Sequence, residues 1–311
     1  MTIPPDARVF VAGHRGLVGS AIVRRLLRGG YANLVTAPRA ELDLTRQAAV
    51  ESFLRETTPD VIVLAAAKVG GIHANNTQRA AFILENLQIQ TNVIGAAAAM
   101  GIERLLFLGS SCIYPRDCPQ PMKESYLLTG PLEPTNEPYA VAKIAGIKTC
   151  EAMRSTLGLT YTSVMPTNLY GPNDNFDLQT SHVLPALIRK CHEAKERGDD
   201  TLEIWGSGTP KREFLHVDDM ADACVFLLEH DDPVDLVNVG TGQDISILDL
   251  AHLIAEVVGF EGRIVRDPTK PDGTPRKLLD VSRMAQLGWT ARIGLREGIA
   301  ATYAWYRQQE R

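Results

Sequence analysis

No apolar run in the 311-residue sequence approaches the ~18 residues that a membrane-spanning helix requires. The opening segment, MTIPPDARVF, has no charged region followed by an apolar one and is not read as a secretory signal. Basic blocks are missing, aromatics are only 6% of residues and the net charge is −5, which argues against a nucleic-acid partner. The five cysteines (Cys112, Cys118, Cys150, Cys191 and Cys224) are odd in number and form no CxxC pair. A disulfide framework or a zinc site is therefore disfavoured, no metal is expected, and a reducing cytoplasmic setting fits best. Internal repeats and low-complexity tracts are also lacking.

What is present is a βαβ rhythm. RVFVAG is a β-branched run ending in glycine, and LVGSAIVRRLLRGG follows at helical spacing with Gly29 and Gly30 as its stop. A strand NLVTA, a helix RQAAVESFLRET, a strand DVIVLAA, a long helix from about Asn76 to Met100 and a strand RLLFLGSS come next. Continuous apolar strands between helices predict a parallel sheet covered on both faces. Prolines 115, 119, 121, 131, 134 and 138 make the following stretch an irregular loop over the sheet edge. A helix from Tyr139 and the strand YTSVMP complete the pattern. Beyond NLYGP the rhythm weakens; EAKERGDD reads as a charged connector, ahead of EFLHV, a helix from Asp218, a strand LVNVG and helices near 246–258 and 294–308.

The expected fold class is α/β, a doubly wound parallel (Rossmann) sheet with a smaller, interwoven C-terminal α/β substrate domain. Residues 1–170 with about 213–240 are assigned to an NADP-binding domain. Residues about 171–212 with 241–311 are assigned to the substrate domain.

GHRGLVG places Gly13, Gly16 and Gly19 between the first strand and the first helix. There the turn must be tight, backbone must approach a pyrophosphate, and helix amides face its charge. NAD-preferring sites carry an acid at the end of the second strand, about twenty residues on, for the ribose hydroxyl. Here that strand ends in TAPR, with Arg39; Glu41 and Asp43 lie past a proline. Arg15 and Arg39 suit a 2′-phosphate, which favours NADP(H), although two solvated surface arginines would read the same way.

YAVAK sets Tyr139 and Lys143 four residues apart, on one helical face. A free tyrosine, with a pKa of about 10, exchanges protons poorly at neutral pH. A lysine ammonium one turn away, together with an oxidised nicotinamide, lowers that value. Tyr139 can then protonate an oxygen as hydride reaches its carbon, and Ser110, at the carboxyl end of the fourth strand, can hydrogen-bond the same oxygen.

Glycine loop, strand-end serine and YxxxK together resemble the short-chain dehydrogenase/reductase superfamily, in its extended branch acting on nucleotide sugars. NLYGP (168–172) and REFLHVDDMADA (212–223) match that branch as well, so the resemblance spans essentially the whole chain. Dehydratases of the branch carry an Asp-Glu pair after the strand-end hydroxyl, where this chain has Cys112-Ile113. With no carboxylate there, elimination of water is disfavoured.

A thiol, with a pKa of about 8.5, can instead act as a base on the carbon beside a ketone. Inversion also needs an acid on the opposite face, and His182, in TSHVLP, titrates in the right range. On the residues alone, Cys112 reads equally as a small buried hydrophobe and His182 as a capping or packing histidine.

GSSCIYP, EPTNEPYAVAKIAG, MPTNLYGPNDNF, SHVLPAL and KPDGTPRKLLDV resemble the members of the branch that epimerise GDP-4-keto-6-deoxy-D-mannose at C3 and C5 and then reduce C4 with NADPH. The resemblance implies reduction by Ser110, Tyr139 and Lys143, and epimerisation by Cys112 and His182. It places cofactor contacts on Gly13, His14, Arg15, Gly16, Leu17, Val18, Gly19, Arg39, Asp43 and Leu44. Further cofactor contacts fall on Leu108, Gly109, Ser110, Ser111, Tyr139, Lys143, Pro166, Thr167, Asn168, Leu169 and His182. Contacts to the nucleotide sugar fall on Lys190, Trp205, Arg212 and Asp272. It also implies a homodimer through the long helix before strand four and the YxxxK helix, although their apolar faces suit packing inside one chain equally well. Two alternatives stay open: another nucleotide-sugar epimerase or reductase, and a non-catalytic NADP-binding regulator.

Overall fold

The computed structural model describes residues 3–270 and 272–309. Met1 and Thr2 of the opening segment, Pro271 of KPDGTPRKLLDV and the last two residues of the substrate-domain segment lie outside that range.

The first half runs β1 (Val9–Ala12), α1 (Leu17–Arg28), β2 (Leu34–Val35), α2 (Gln47–Thr57), β3 (Val61–Leu64), α3 (Ile72–Thr77), α4 (Arg79–Ala99), β4 (Arg104–Leu108), α5 (Glu137–Leu157) and β5 (Thr160–Pro166). The second runs β6 (Asn168–Tyr170), α6 (Val183–Arg197), β7 (Thr201–Trp205), β8 (Lys211–His216), α7 (Val217–Glu229), β9 (Leu236–Val239), β10 (Asp244–Ser246), α8 (Ile247–Val258), β11 (Arg263–Asp267), β12 (Arg276–Lys277), α9 (Ser282–Gln286) and α10 (Leu295–Gln309).

Six strands form one sheet in the order β2-β1-β3-β4-β5-β9, every pair parallel. Alternation along β1 splits the core into two layers. Val9 and Val11 join Ile22 and Leu26 of α1 and Met220 and Val225 of α7 on one face. Phe10 and Ala12 join Leu54 of α2, Ile94 of α4 and Ile147 of α5 on the other. Each fully buried side chain of this kind contributes about 1.5–3 kcal/mol, so neither face tolerates a polar swap. A third apolar cluster, with Tyr170, Ile188, Ile204, Ile254 and Ile299, lies around β6, α6, β7, α8 and α10. Around it are β10-β8-β12 with β6 paired to β8, and the parallel pair β11-β7.

Three elements differ from the sequence expectation. The long helix starts at Ile72 and breaks at Gln78 (φ −114°, ψ 35°). The run NNT favours side chain–backbone bonds over helix continuation, and Asn75 Nδ2 donates back to the carbonyls of Gly70 and Gly71. The charged connector is mostly helix: Arg189 pairs with Glu193 at 2.7 Å and Glu193 with Arg197 at 3.8 Å, each four residues on, which carries α6 to a left-handed stop at Gly198. The second strand keeps only two residues.

The order in which successive strands are added reverses between β1 and β3, and this crevice is where open parallel sheets receive a dinucleotide. Gly13, at φ +88°, lies against the end of β3; a Cβ there would come within 2.8 Å of the Ala66 amide. Gly146 does the same for α5, since a Cβ would stand 2.5 Å from the Phe107 ring. That close approach brings the start of α5 to the carboxyl end of β4.

Candidate active site

Backbone after β4 builds the first part of the site. Ser110 is extended (φ −164°, ψ 146°) and its Oγ accepts the Cys112 amide at 3.2 Å, capping a 3-10 turn over Ser111–Ile113. The serine thereby fixes the turn that presents the cysteine two residues later. Across from this turn, α5 begins with Asn136 as its N-cap, and Tyr139 and Lys143 follow on one face.

Tyr139 lies within electrostatic reach of Ser110 and Cys112. Phe82 meets the phenol ring edge-to-face at 6.2 Å between centroids. Lys143 is 3% exposed; its Nζ donates to the Leu108 carbonyl at 2.6 Å and stands 4.8 Å from the Phe107 ring and 5.8 Å from the Tyr139 ring.

The electrostatics run against the expectation for the protein alone. Burial raises the Tyr139 pKa well above its ordinary value, Cys112 adds to the rise, and the Ser110 hydroxyl offsets part of it. Burial also lowers Lys143 to about 7. The lysine does not draw the phenol down here, because the same low-dielectric surroundings penalise both charged forms. A positive nicotinamide against this corner would favour the phenolate.

His182 is the N-cap of α6 and is open to solvent, yet the mass of protein around it lowers its pKa. Fewer molecules carry the imidazolium at neutral pH, and each is a stronger acid. Among the described residues it makes no hydrogen bond to Ser110, Cys112, Tyr139 or Lys143.

The residues expected to meet the dinucleotide lie along the same sheet edge. His14, Arg15 and Gly16 occupy the turn, and Leu17, Val18 and Gly19 the first turn of α1. That helix has neither a side-chain cap nor an acid in its first turn, so its amides are free for an anion. The His14 pKa is lowered by burial and by Arg15, with Glu41 acting the other way, which puts all three in one neighbourhood. Arg39 is 76% exposed and reaches Glu85 at 3.7 Å, a carboxylate that Lys68 holds at 3.0 Å. Asp43 is engaged locally: its Oδ1 accepts the Thr45 amide at 3.0 Å and hydroxyl at 2.8 Å, bonds that lower its pKa. The Leu44 carbonyl accepts Asn92 Nδ2 at 2.9 Å.

Leu108 ends β4, and Gly109 donates its amide to the Val164 carbonyl at 2.8 Å. Pro166 ends β5, with Thr167, Asn168 and the partly buried Leu169 beyond it. The Thr167 hydroxyl and the Asn168 amide both donate to the Glu213 carbonyl, at 3.1 and 2.8 Å. The Glu213 side chain, 0% exposed, accepts the amides of Thr241, Gly242 and Leu279 at 2.6, 2.7 and 2.9 Å, although burial still raises its pKa. This one residue ties the cofactor edge to β8, where Arg212 is its neighbour.

Lys190, Trp205, Arg212 and Asp272 form a second wall. Trp205 is 59% exposed, with Lys190 Nζ and Lys270 Nζ each 5.7 Å from its ring. The Arg212 guanidinium donates to the Lys211 carbonyl at 2.7 Å and has no carboxylate partner among the described residues; burial lowers its pKa. Asp272 accepts the Ser207 amide at 2.9 Å and hydroxyl at 2.8 Å.

Sequence reasoning passed over three residues. Asn136, three before Tyr139, was legible from helical spacing. Glu213 stands beside Arg212 in a quoted motif, but nothing local marks its buried carboxylate. Lys270 reaches Trp205 only because Asp267 of β11 pairs with Trp205 of β7.

Comparison with known proteins places this geometry in context. The family described as "NAD dependent epimerase/dehydratase family" matches residues 9–240. GDP-L-fucose synthase 1 of Arabidopsis thaliana is 63% identical over 301 residues, 97% of this chain and 93% of that protein. GDP-L-fucose synthase of Escherichia coli (strain K12) is 55% identical over 312 residues, 97% of each. Among solved structures, a GDP-L-fucose synthetase from Naegleria fowleri bound to NADP superposes with a TM-score of 0.92 at 27% identity, covering 100% of this chain and 95% of that one.

Proposed function

The chain belongs to the NAD-dependent epimerase/dehydratase family, and from that premise we propose that it converts GDP-4-keto-6-deoxy-D-mannose to GDP-L-fucose. It is an NADP-dependent oxidoreductase with epimerase activity, inverting C3 and C5 and then reducing C4. The observation that carries the reading is the corner where Ser110 Oγ holds the Cys112 amide while Tyr139 and Lys143 stand on the facing turn of α5.

The residues present fit the cofactor. The uncapped α1 amides and the backbone approach at Gly13 suit a pyrophosphate, and Arg15 and Arg39 suit a 2′-phosphate. Bound NADPH supplies the hydride.

Ser110 and Tyr139 hold the C4 ketone oxygen. With that oxygen gripped, the adjacent C–H bond breaks toward Cys112: an S–H bond forms, and the electron pair moves onto the oxygen as an enolate. His182 gives a proton to the other face of the same carbon; once the thiol has lost its proton to solvent and the imidazole has regained one from it, the same two steps at the second carbon complete the double inversion. Tyr139 then gives its proton to the C4 oxygen during reduction, and Lys143, anchored to the Leu108 carbonyl, packs 5.8 Å from the phenol ring. Arg212 and Lys190 suit the diphosphate, and Trp205 offers an apolar face to the base.

An NADP-binding domain of 1–170 with about 213–240 and a substrate domain of about 171–212 with 241–311 are proposed, although Leu279, Met284 and Trp289 of the second pack into the apolar clusters of the six-stranded sheet. A homodimer is inferred through α4 and α5, whose outer faces leave Leu84 and Val141 exposed. No helix among the described residues is long and apolar enough to cross a membrane. A free thiol acting as base suits a reducing compartment, and the cytoplasm is proposed on that ground.

Incubation with GDP-4-keto-6-deoxy-D-mannose and NADPH should bleach the nicotinamide band and yield GDP-L-fucose; no bleaching removes the enzyme reading. Cys112→Ser should lose solvent-deuterium exchange at C3 and C5 while still binding NADP(H). Normal exchange in that variant would show another group to be the base.

A further inference from the structure

An asparagine at a helix N-cap ordinarily turns its side chain back onto the first-turn amides, a bond worth about 1 kcal/mol. Asn136 occupies that position on α5 (φ −123°, ψ 13°) and makes no such bond. Its Nδ2 instead points to Cys112 Sγ at 3.3 Å. Its Oδ1 is buried and has no hydrogen-bond partner. A helix start that forgoes its cap and leaves a carbonyl oxygen unsatisfied, in order to aim an N–H at one sulfur, is spending stability on that contact.

We propose that Asn136 is a positioning residue for Cys112, donating to its sulfur so that the base stands charged and aimed at the carbon beside the ketone. This rests on the reading of Cys112 as the base of the inversion. An amide N–H pointed at sulfur stabilises the anion and gives nothing to a thiol whose own proton needs an acceptor. The N-terminus of α5 adds its positive end on the same side. The backbone holds Asn136 in place: its amide donates to the Glu133 carbonyl at 3.2 Å, and its carbonyl accepts the Ala140 amide at 3.0 Å. Glu133 is braced by the Thr135 hydroxyl at 3.3 Å, and Tyr139 lies three residues on. One helix start therefore serves both chemistries, with Asn136 on the sulfur and Tyr139 on the ketone oxygen.

Asn136→Ala removes the donor. Asn136→Asp leaves only acceptors at the same place, and aspartate is itself a good N-cap, so the helix start survives. Three rates separate the roles in wild type and both variants. These are deuterium exchange at C3 and C5 of GDP-4-keto-6-deoxy-D-mannose with NADP+, C4 reduction of the already epimerised ketone with NADPH, and alkylation of Cys112 by iodoacetamide at pH 7, followed by peptide mass. Both variants should slow exchange and alkylation by about ten-fold or more, with reduction of the epimerised ketone unchanged.

Wild-type exchange or alkylation in Asn136→Asp overturns the proposal, because the amide would then be an acceptor from a thiol. Reduction that falls in step with exchange overturns it too, by making Asn136 a support for α5 alone. Wild-type protein that alkylates faster than the variants but exchanges no deuterium leaves the contact standing and refutes the assignment of Cys112 as base.

Discussion

The two walls of the site are built on different principles. On the side proposed for the nicotinamide, Ser110, Cys112, Asn136, Tyr139 and Lys143 come from one strand end and one helix start; all but Tyr139, which packs against Phe82, are linked to one another or to the sheet by hydrogen bonds. On the nucleotide side, Trp205, Lys190, Arg212 and Asp272 come from four separate segments, and the indole stands open to water. His182 belongs with the second group, without a bond to the first. The difference teaches that the strand-end and helix-start groups proposed for the chemistry are held by the fold itself, whereas those proposed for the nucleotide depend on four separate segments meeting. Pre-set groups act without reorganising at the moment of reaction, and an open wall admits a large, charged substrate.

Tyr139→Phe breaks the pre-set side most severely. It should lower the C4 reduction rate by about 10²–10⁴-fold, with NADPH affinity kept. Single-turnover loss of nicotinamide absorbance measures it; an unaltered rate would take Tyr139 out of the mechanism.

The buried cation on that side gives a pH test. Lys143 stands at about 7 when folded, against an ordinary 10.5. Between those values the unfolded chain holds a proton that the folded chain lacks, so this residue makes stability without cofactor rise as pH rises through that window. The contribution approaches about 1.4 kcal/mol per pH unit. Denaturation midpoints from pH 7 to 10 should climb more steeply in wild type than in Lys143→Met; parallel slopes would mean that the ammonium is not penalised by burial.

The open side should respond more gently. Trp205→Ala should raise KM for the GDP-sugar by about ten-fold and leave kcat alone, because it removes binding shared by ground and transition states. A fall in kcat instead would show that this wall also aligns the reacting carbon.

Legibility followed the same division. Tyr139 and Lys143 were readable because a helix turns short spacing into adjacency, and Ser110 because β4 ends where its apolar run ends. The same logic extends to Asn136. Breaks and bounds were harder: the α4 kink at Gln78 depends on Asn75 finding carbonyls five and four residues back. EAKER reads as a surface connector until its ion pairs are seen along one helix.

Local sequence thus determined the alternating strands and helices, the glycine turn and the one-turn pairing of phenol and amine, because each depends on interactions within a few residues. Tertiary structure alone decided that Asn136 meets the sulfur, that Glu213 gathers amides from residues 28, 29 and 66 positions away, and that Lys143 is dry enough to fall to about 7. Those depend on which distant backbone closes over a side chain, and burial is a property of the whole packed molecule that no short stretch of chain encodes.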